Sequence, residues 1–197
     1  MLDAISWTFI CAFAGAAVVA VIFSLSKSLI EKKYFTKAKL LEYEKDIDQY
    51  NFLYSDDVEK IAEKMHKTIK LELMRKYAYI DDKNPQLIHV NAKLDPERRN
   101  FAITHELGHH MRGYSGMVAK NEIKLLSKFI PEEQICDYYS AAILLPRKDI
   151  KRMMDDADFH HLSDEDKVNF ISGIAIEKCI AEDVVCRRIC EITKIYS

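Results

Sequence analysis

Near its midpoint the chain reads Arg99-Asn-Phe-Ala-Ile-Thr-His-Glu-Leu-Gly-His-His110. Asp95-Pro96-Glu97, just upstream, has the form of a helix start: a capping aspartate, a proline at the first helical position and an acid in the first turn. The spacing therefore predicts a helix from Pro96 to about Arg112, broken by Gly113 and Gly116. On such a helix His105 and His109, four residues apart, lie on one face one turn from each other. Two imidazoles so placed can bind one Zn²⁺. Glu106 is rotated about 100° from His105 and need not be a ligand, so it is free to take a proton from an activated water. Gly108 inside a helix costs about 1 kcal/mol against Ala, which predicts a close packing partner at that point.

A catalytic zinc takes a third protein ligand and leaves one position open. Pro131-Glu132-Glu133 opens the next long helix, which is expected to stop at Pro146, and Asp137 lies one turn after Glu133. That spacing sets both carboxylates on one face. Glu133 is the candidate third ligand, and Asp137 the candidate acceptor for the second ring N–H of a ligating histidine. Glu132 is the neighbouring rival for the third position, with Glu122 and His161 more remote ones. His89 lies on an expected strand and could contact substrate, while His66 and His110 read as surface or packing residues. Tyr114, Tyr138 and Tyr139 could supply a donor to a developing oxyanion, and none is assigned that role.

Working outward, Ser55 reads as a cap with Asp56 and Asp57 in the first turn. Val58, Ile61, Ala62, Met65, Ile69 and Leu73 then recur at helical spacing, predicting a helix that ends near Tyr77. Tyr77–Ile80 and Gln86–Asn91, around Asp-Asp-Lys-Asn-Pro, read as two strands and a turn. Ser163 with Asp166 resembles a capping box for a helix over 164–178, followed by a last helix over about 182–192. These last two form a superficial helix-turn-helix. Arg187 and Arg188 alone make a thin case for phosphate contact, so no direct nucleic-acid binding is expected. Cys179, Cys186 and Cys190 fall at helical spacing that suggests core packing.

The N-terminus is of another character. No charge occurs from Ala4 to Ser26, a run long enough to cross a bilayer, with Trp7 near one end. It lacks the positive leader and the cleavage site of a signal peptide. Lys27, Lys32, Lys33, Lys37 and Lys39 follow it, which predicts a single-pass protein in the cell membrane, its N-terminus outside and its catalytic domain cytoplasmic. The expected organisation is an anchor over 1–26, a helical stalk or linker over 27–54 and a metallopeptidase domain over 55–197.

Composition bounds the rest. The 197 residues are 49% hydrophobic and 30% charged, with a net charge of −2, which excludes wholesale disorder and a generally basic nucleic-acid binder. Five glycines and four prolines favour helices over an all-β fold. Five cysteines without regular spacing do not make a disulfide scaffold.

The 99–110 stretch, preceded by Leu87-Ile-His-Val-Asn91, resembles the core of the ImmA/IrrE family of bacterial metallopeptidases. So does Glu133-Gln-Ile-Cys-Asp-Tyr-Tyr-Ser-Ala-Ala-Ile-Leu-Leu-Pro146. The family pattern is kept at Glu133, Asp137, Tyr139, Ala141, Leu144, Leu145 and Pro146. It is broken at Cys136, where Ala is usual, and at Ser140. The resemblance implies an α+β, mainly helical, zincin-like core with a small sheet, here preceded by one transmembrane helix that is not typical of the family. It also implies a zinc endopeptidase acting on a cytoplasmic protein, often a helix-turn-helix repressor. Manganese and iron are alternative metals. The alternative function is a non-catalytic protein-binding module in which the metal holds the fold.

Overall fold

The computed structural model describes residues 28–113 and 131–197, together with Ser24. The chain divides into a unit over Met1–Thr36 and a compact unit over Lys37–Ser197. Of the first, residues 28–34 are helical.

The second unit starts with α1 (Lys37–Asp48) and α2 (Val58–Lys64), then β1 (Thr68–Glu72), β2 (Ala78–Ile80) and β3 (Leu87–Asn91). Helices α3 (Pro96–Met111), α4 (Pro131–Leu144), α5 (Arg147–Asp156), α6 (Asp164–Lys178) and α7 (Glu182–Tyr196) complete it, with a short 3₁₀ turn at Phe159–His161. Among the described residues the result is mainly helical with one three-stranded sheet of order β1-β3-β2. β3 is central, parallel to β1 and antiparallel to β2. Ile80, Ile88 and Val90 turn into the core, where α3 packs against β2 and β3.

Helix α4 is the hub. Every residue from Ile135 to Leu144 except Asp137 is buried. A helix apolar on all sides must be covered on all sides. α3 covers one side, and α1 and α7 cover the others. α1 falls within the stretch read from the sequence as a stalk; its Leu40, Tyr43 and Ile47 are buried. Beside them Arg188 of α7, fully buried, donates to Glu44 of α1 at 2.6 Å and to the Leu145 carbonyl at 2.9 Å. The Tyr138 hydroxyl of α4 donates to the same Glu44 carboxylate. Burial pushes the Glu44 carboxyl up, but Arg188 and Tyr138 together hold it below its ordinary value.

Three sequence expectations change. The helix over 55–77 stops at Lys64, capped by Asp57 rather than Ser55. His66 takes a left-handed turn (φ 55°), and Thr-Ile-Lys-Leu-Glu continues as β1. β-branched Thr68 and Ile69 suit a strand, and the apparent helical repeat across Met65, Ile69 and Leu73 is coincidental. Cys186 and Cys190 are exposed, because Val185, Ile189 and Ile192 take the core face of α7.

The membrane localisation is the third. Among the described residues no helix is long and apolar enough to cross a membrane. The longest, α3, has 16 residues. It rises roughly 24 Å, short of a hydrocarbon core of about 30 Å, and it carries charge. The single-pass, N-outside arrangement is therefore not what the structure gives. The Ala4–Ser26 run itself lies almost wholly outside the described residues.

Candidate metal centre

α3 starts as its sequence dictates, with the Asp95 side chain accepting from the Arg98 amide and Pro96 in the first turn. Gly108 explains how near α4 comes. A Cβ at this position would lie 3.1 Å from the Cys136 carbonyl oxygen and 3.1 Å from the Tyr139 Cβ. One turn earlier the Thr104 and Ser140 hydroxyls hydrogen-bond at 2.6 Å, locking the two helices in register. This is the close partner that the helical glycine predicted, and Ser140 has its use here.

The contact sets the histidines of α3 against the acids of α4. The Nε2 atoms of His105 and His109 are 3.1 Å apart. Glu133 Oε2 is 3.2 Å from His105 Nε2, and Oε1 is 3.5 Å from His109 Nε2. Donors about 2.0–2.2 Å from one tetrahedral ion stand roughly 3.3–3.5 Å from each other. At 3.1–3.5 Å, with one or the other Glu133 oxygen, these side chains come close to that spacing, and they form a group that could hold a metal ion. Behind them Asp137 Oδ1 lies 2.9 Å from His105 Nδ1, where it accepts the ring N–H and leaves Nε2 aimed at the centre. Glu132, the rival ligand, turns away to Arg112, whose Nε is 3.2 Å from Oε1.

The electrostatics match the geometry. Burial works to lower the His105 pKa, but Asp137 and Glu133 outweigh it and hold the ring well above its usual value. Burial and the neighbouring His105 charge lower that of His109. Burial chiefly raises the Glu106 carboxyl, with Glu133 adding to it, while His105 and a hydrogen bond from the Ile80 amide of β2 pull the other way. A carboxyl raised in this manner is a better proton acceptor than an ordinary one.

Other candidates lie elsewhere. His89 is buried on β3, stacked on Tyr79 with ring centroids 4.6 Å apart, and its Nδ1 is 2.8 Å from Glu72. The Tyr139 hydroxyl donates to Asp46 at 2.9 Å, and Tyr138 to Glu44. His161 pairs with Asp158, and Glu122 and Tyr114 lie outside the described residues. Two neighbours escape motif reading. Arg187 Nη1 approaches Asp137 Oδ2 at 3.9 Å, and the Cys136 thiol sits 3.1 Å from His109 Nδ1. Cys136 departs from the 133–146 pattern and reads from the sequence as touching no proposed ligand, which its contact with His109 corrects; Arg187 comes from a distant helix.

Residues 63–168, more than half of the chain, match the family model of the IrrE N-terminal-like domain, Peptidase_M78. The chain belongs to this family. The ImmA/IrrE resemblance of the two motifs is thereby confirmed, and the M78 match contains every residue of the candidate centre. Among solved structures, a Mycobacterium tuberculosis transcriptional regulator is similar, with a TM-score of 0.55 and 13% identity, covering 84% of this chain and 51% of that one. The likeness is one of fold, and the chain spans about half the length of that regulator. A comparison with curated proteins gives no match.

Proposed function

We propose that this M78 domain is a zinc-dependent endopeptidase. The observation that carries the reading is the convergence of His105, His109 and Glu133 at the spacing of one tetrahedral ion, with Glu106 beside them. His105, His109 and Glu133 would hold the ion. When bound, Zn²⁺ supplies Lewis acidity at a peptide carbonyl and makes a water acidic enough to attack it near neutral pH. Glu106 takes the proton from the attacking water and hands it to the departing amine. Asp137 fixes the tautomer and direction of His105.

The substrate in this reading is a regulatory protein, such as a helix-turn-helix repressor. Family resemblance supports this step, and site chemistry does not bear on it. A second reading, a non-catalytic regulator with a structural metal, draws support from the likeness to a transcriptional regulator. Glu106→Gln separates the two. The variant should keep its metal content and lose cleavage of candidate repressors by about 10²–10⁴-fold, the usual weight of a general base. An unchanged biological effect in cells carrying the variant would favour the binding module.

A further inference from the structure

His109 presents its two ring nitrogens to two different donor sets. Nε2 faces His105 and Glu133, as described. Nδ1 faces the buried Cys136 thiol at 3.1 Å, and Cys136 Sγ in turn lies 3.9 Å from Glu132 Oε1. One ligand atom from each of His109, Glu132 and Cys136 can be chosen so that all three lie within 4.8 Å of one another. For a cation with a sulfur ligand at about 2.3 Å and nitrogen or oxygen ligands near 2.1 Å, tetrahedral donors stand roughly 3.6 Å apart. The observed 3.1 and 3.9 Å bracket that value.

We propose that His109, Cys136 and Glu132 form a second cation site, selective for thiophilic divalent ions such as Cd²⁺ and exclusive of the first. Selectivity comes from the ligands. The first set is two imidazoles and a carboxylate, whereas the second replaces one imidazole with a thiolate, which softer ions prefer. Burial and three nearby carboxylates, Glu132, Glu133 and Asp137, push the Cys136 thiol up, so a bound ion must displace its proton, while the same carboxylates attract the cation. Exclusivity comes from the imidazole. A neutral ring has one lone pair and one N–H, so it serves Nε2 or Nδ1 and never both.

Binding at the second site breaks the Cys136 S–H bond, forms a sulfur–metal bond and releases that proton to solvent, with no change of oxidation state. The His109 N–H moves to Nε2, and the first set is reduced to His105 and Glu133. Arg112 gives up Glu132 Oε1 while its Nη2, 3.5 Å from Oε2, retains the other oxygen. A thiophilic ion at this site would thus switch the first site off without touching His105 or Glu133. The inference needs only this geometry, and it stands whether or not the domain cleaves peptides.

The test is Cd²⁺ titration of the metal-free full chain in which Cys11, Cys179, Cys186 and Cys190 are replaced by Ser. Cys136 is then the only thiol. The readouts are the near-ultraviolet thiolate-to-cadmium absorption and the number of ions bound. The expected result is a thiolate band at one ion per chain. Glu132→Gln should weaken it at least about tenfold, the scale already set by outer-shell partners. His105→Ala, which damages only the first set, should keep the band. Cys136→Ser should bind Cd²⁺ without it, circular dichroism confirming the fold. Absence of the band in the parent, its loss in His105→Ala, or two ions per chain would overturn the proposal. Failure of the peptidase reading would show separately, as a Glu106→Gln variant that cleaves normally.

Discussion

Two clusters of buried charge flank α4, and they are built on opposite plans. On the α1–α7 side, Glu44 meets cations that the chain itself provides. Arg188 and the Tyr138 hydroxyl donate to Oε1, and Arg147 Nε lies 3.7 Å from Oε2. On the α3 side, Glu133 meets two imidazoles whose partners, among the described residues, are one another, Asp137, Glu133 and Cys136. One cluster is closed by its own guanidinium; the other keeps its donors pointing at a common centre. The lesson is that burial of charge does not mark a site. Convergence of several donor atoms on one point does.

The sharpest way to break that comparison is to remove Arg188. Arg188→Met should destabilise the domain by about 3 kcal/mol, because buried Glu44 loses its closest cation and keeps only Arg147, 3.7 Å from Oε2. Adding Glu44→Leu and Tyr138→Phe should recover most of the loss in urea denaturation, since a buried ion pair is often replaceable by apolar groups of similar volume. The same apolar exchange at His105 and Glu133 should leave a folded protein without metal. A triple variant at Arg188, Glu44 and Tyr138 that stays as unstable as the single one would mean that the two clusters are not so different.

Asp137→Asn probes the other side. An amide oxygen can still accept from His105 Nδ1, but without the charge. Metal affinity should fall about 10–100-fold, with little change in Tm. Equal affinity in the variant would show that Asp137 does not orient His105.

Asp56 sharpens the contrast as a third case, with a fully buried side chain held by Lys64, by Lys60 at 3.1 Å and by the Leu53 amide at 2.8 Å. Burial works to raise its pKa, yet these partners lower it to about 2. A folded-state pKa below the unfolded one stabilises above about pH 4, and the benefit disappears as the pH falls toward 2. Asp56→Asn should therefore cost roughly 2 kcal/mol at neutral pH and progressively less in acid. A pH-independent difference would contradict this account.

The smallest effect is expected at Gly108. Alanine there gains about 1 kcal/mol of helix propensity but must push α4 away by a few tenths of an ångström, at a packing cost of about 1–3 kcal/mol. A net loss near 1 kcal/mol, accompanied by weaker metal binding, is the expected outcome. A stabilised variant with unchanged affinity would show that the helix separation does not tune the centre.

Much of this was legible in the residues. Helical spacing puts His105 with His109, and Glu133 with Asp137, on shared faces, but it neither chooses Glu133 over Glu132 nor says that the two helices meet. The caps at Asp95 and Ser163 are local, and so both were readable. β1 was hidden because Ile69 and Leu73 continue a helical repeat by accident. Helix α5, after Pro146, has no side-chain cap to announce it. Arg188 read as a thin hint of phosphate contact, and only its long-range pairing with Glu44 reveals a structural role. That pairing spans 144 residues, and no local pattern can carry it.

The Arg188 contact has a consequence for anyone who would trim this chain. A fragment cut to the family match, 63–168, would keep His105, Glu106, His109 and Glu133 but discard both Glu44 and Arg188. Tyr138 and the back of α4 would then meet water. Such a fragment should aggregate on expression, and the shortest soluble piece should begin before Leu40 and run at least to Ile192. The motif that identifies the domain is smaller than the body that can fold around it.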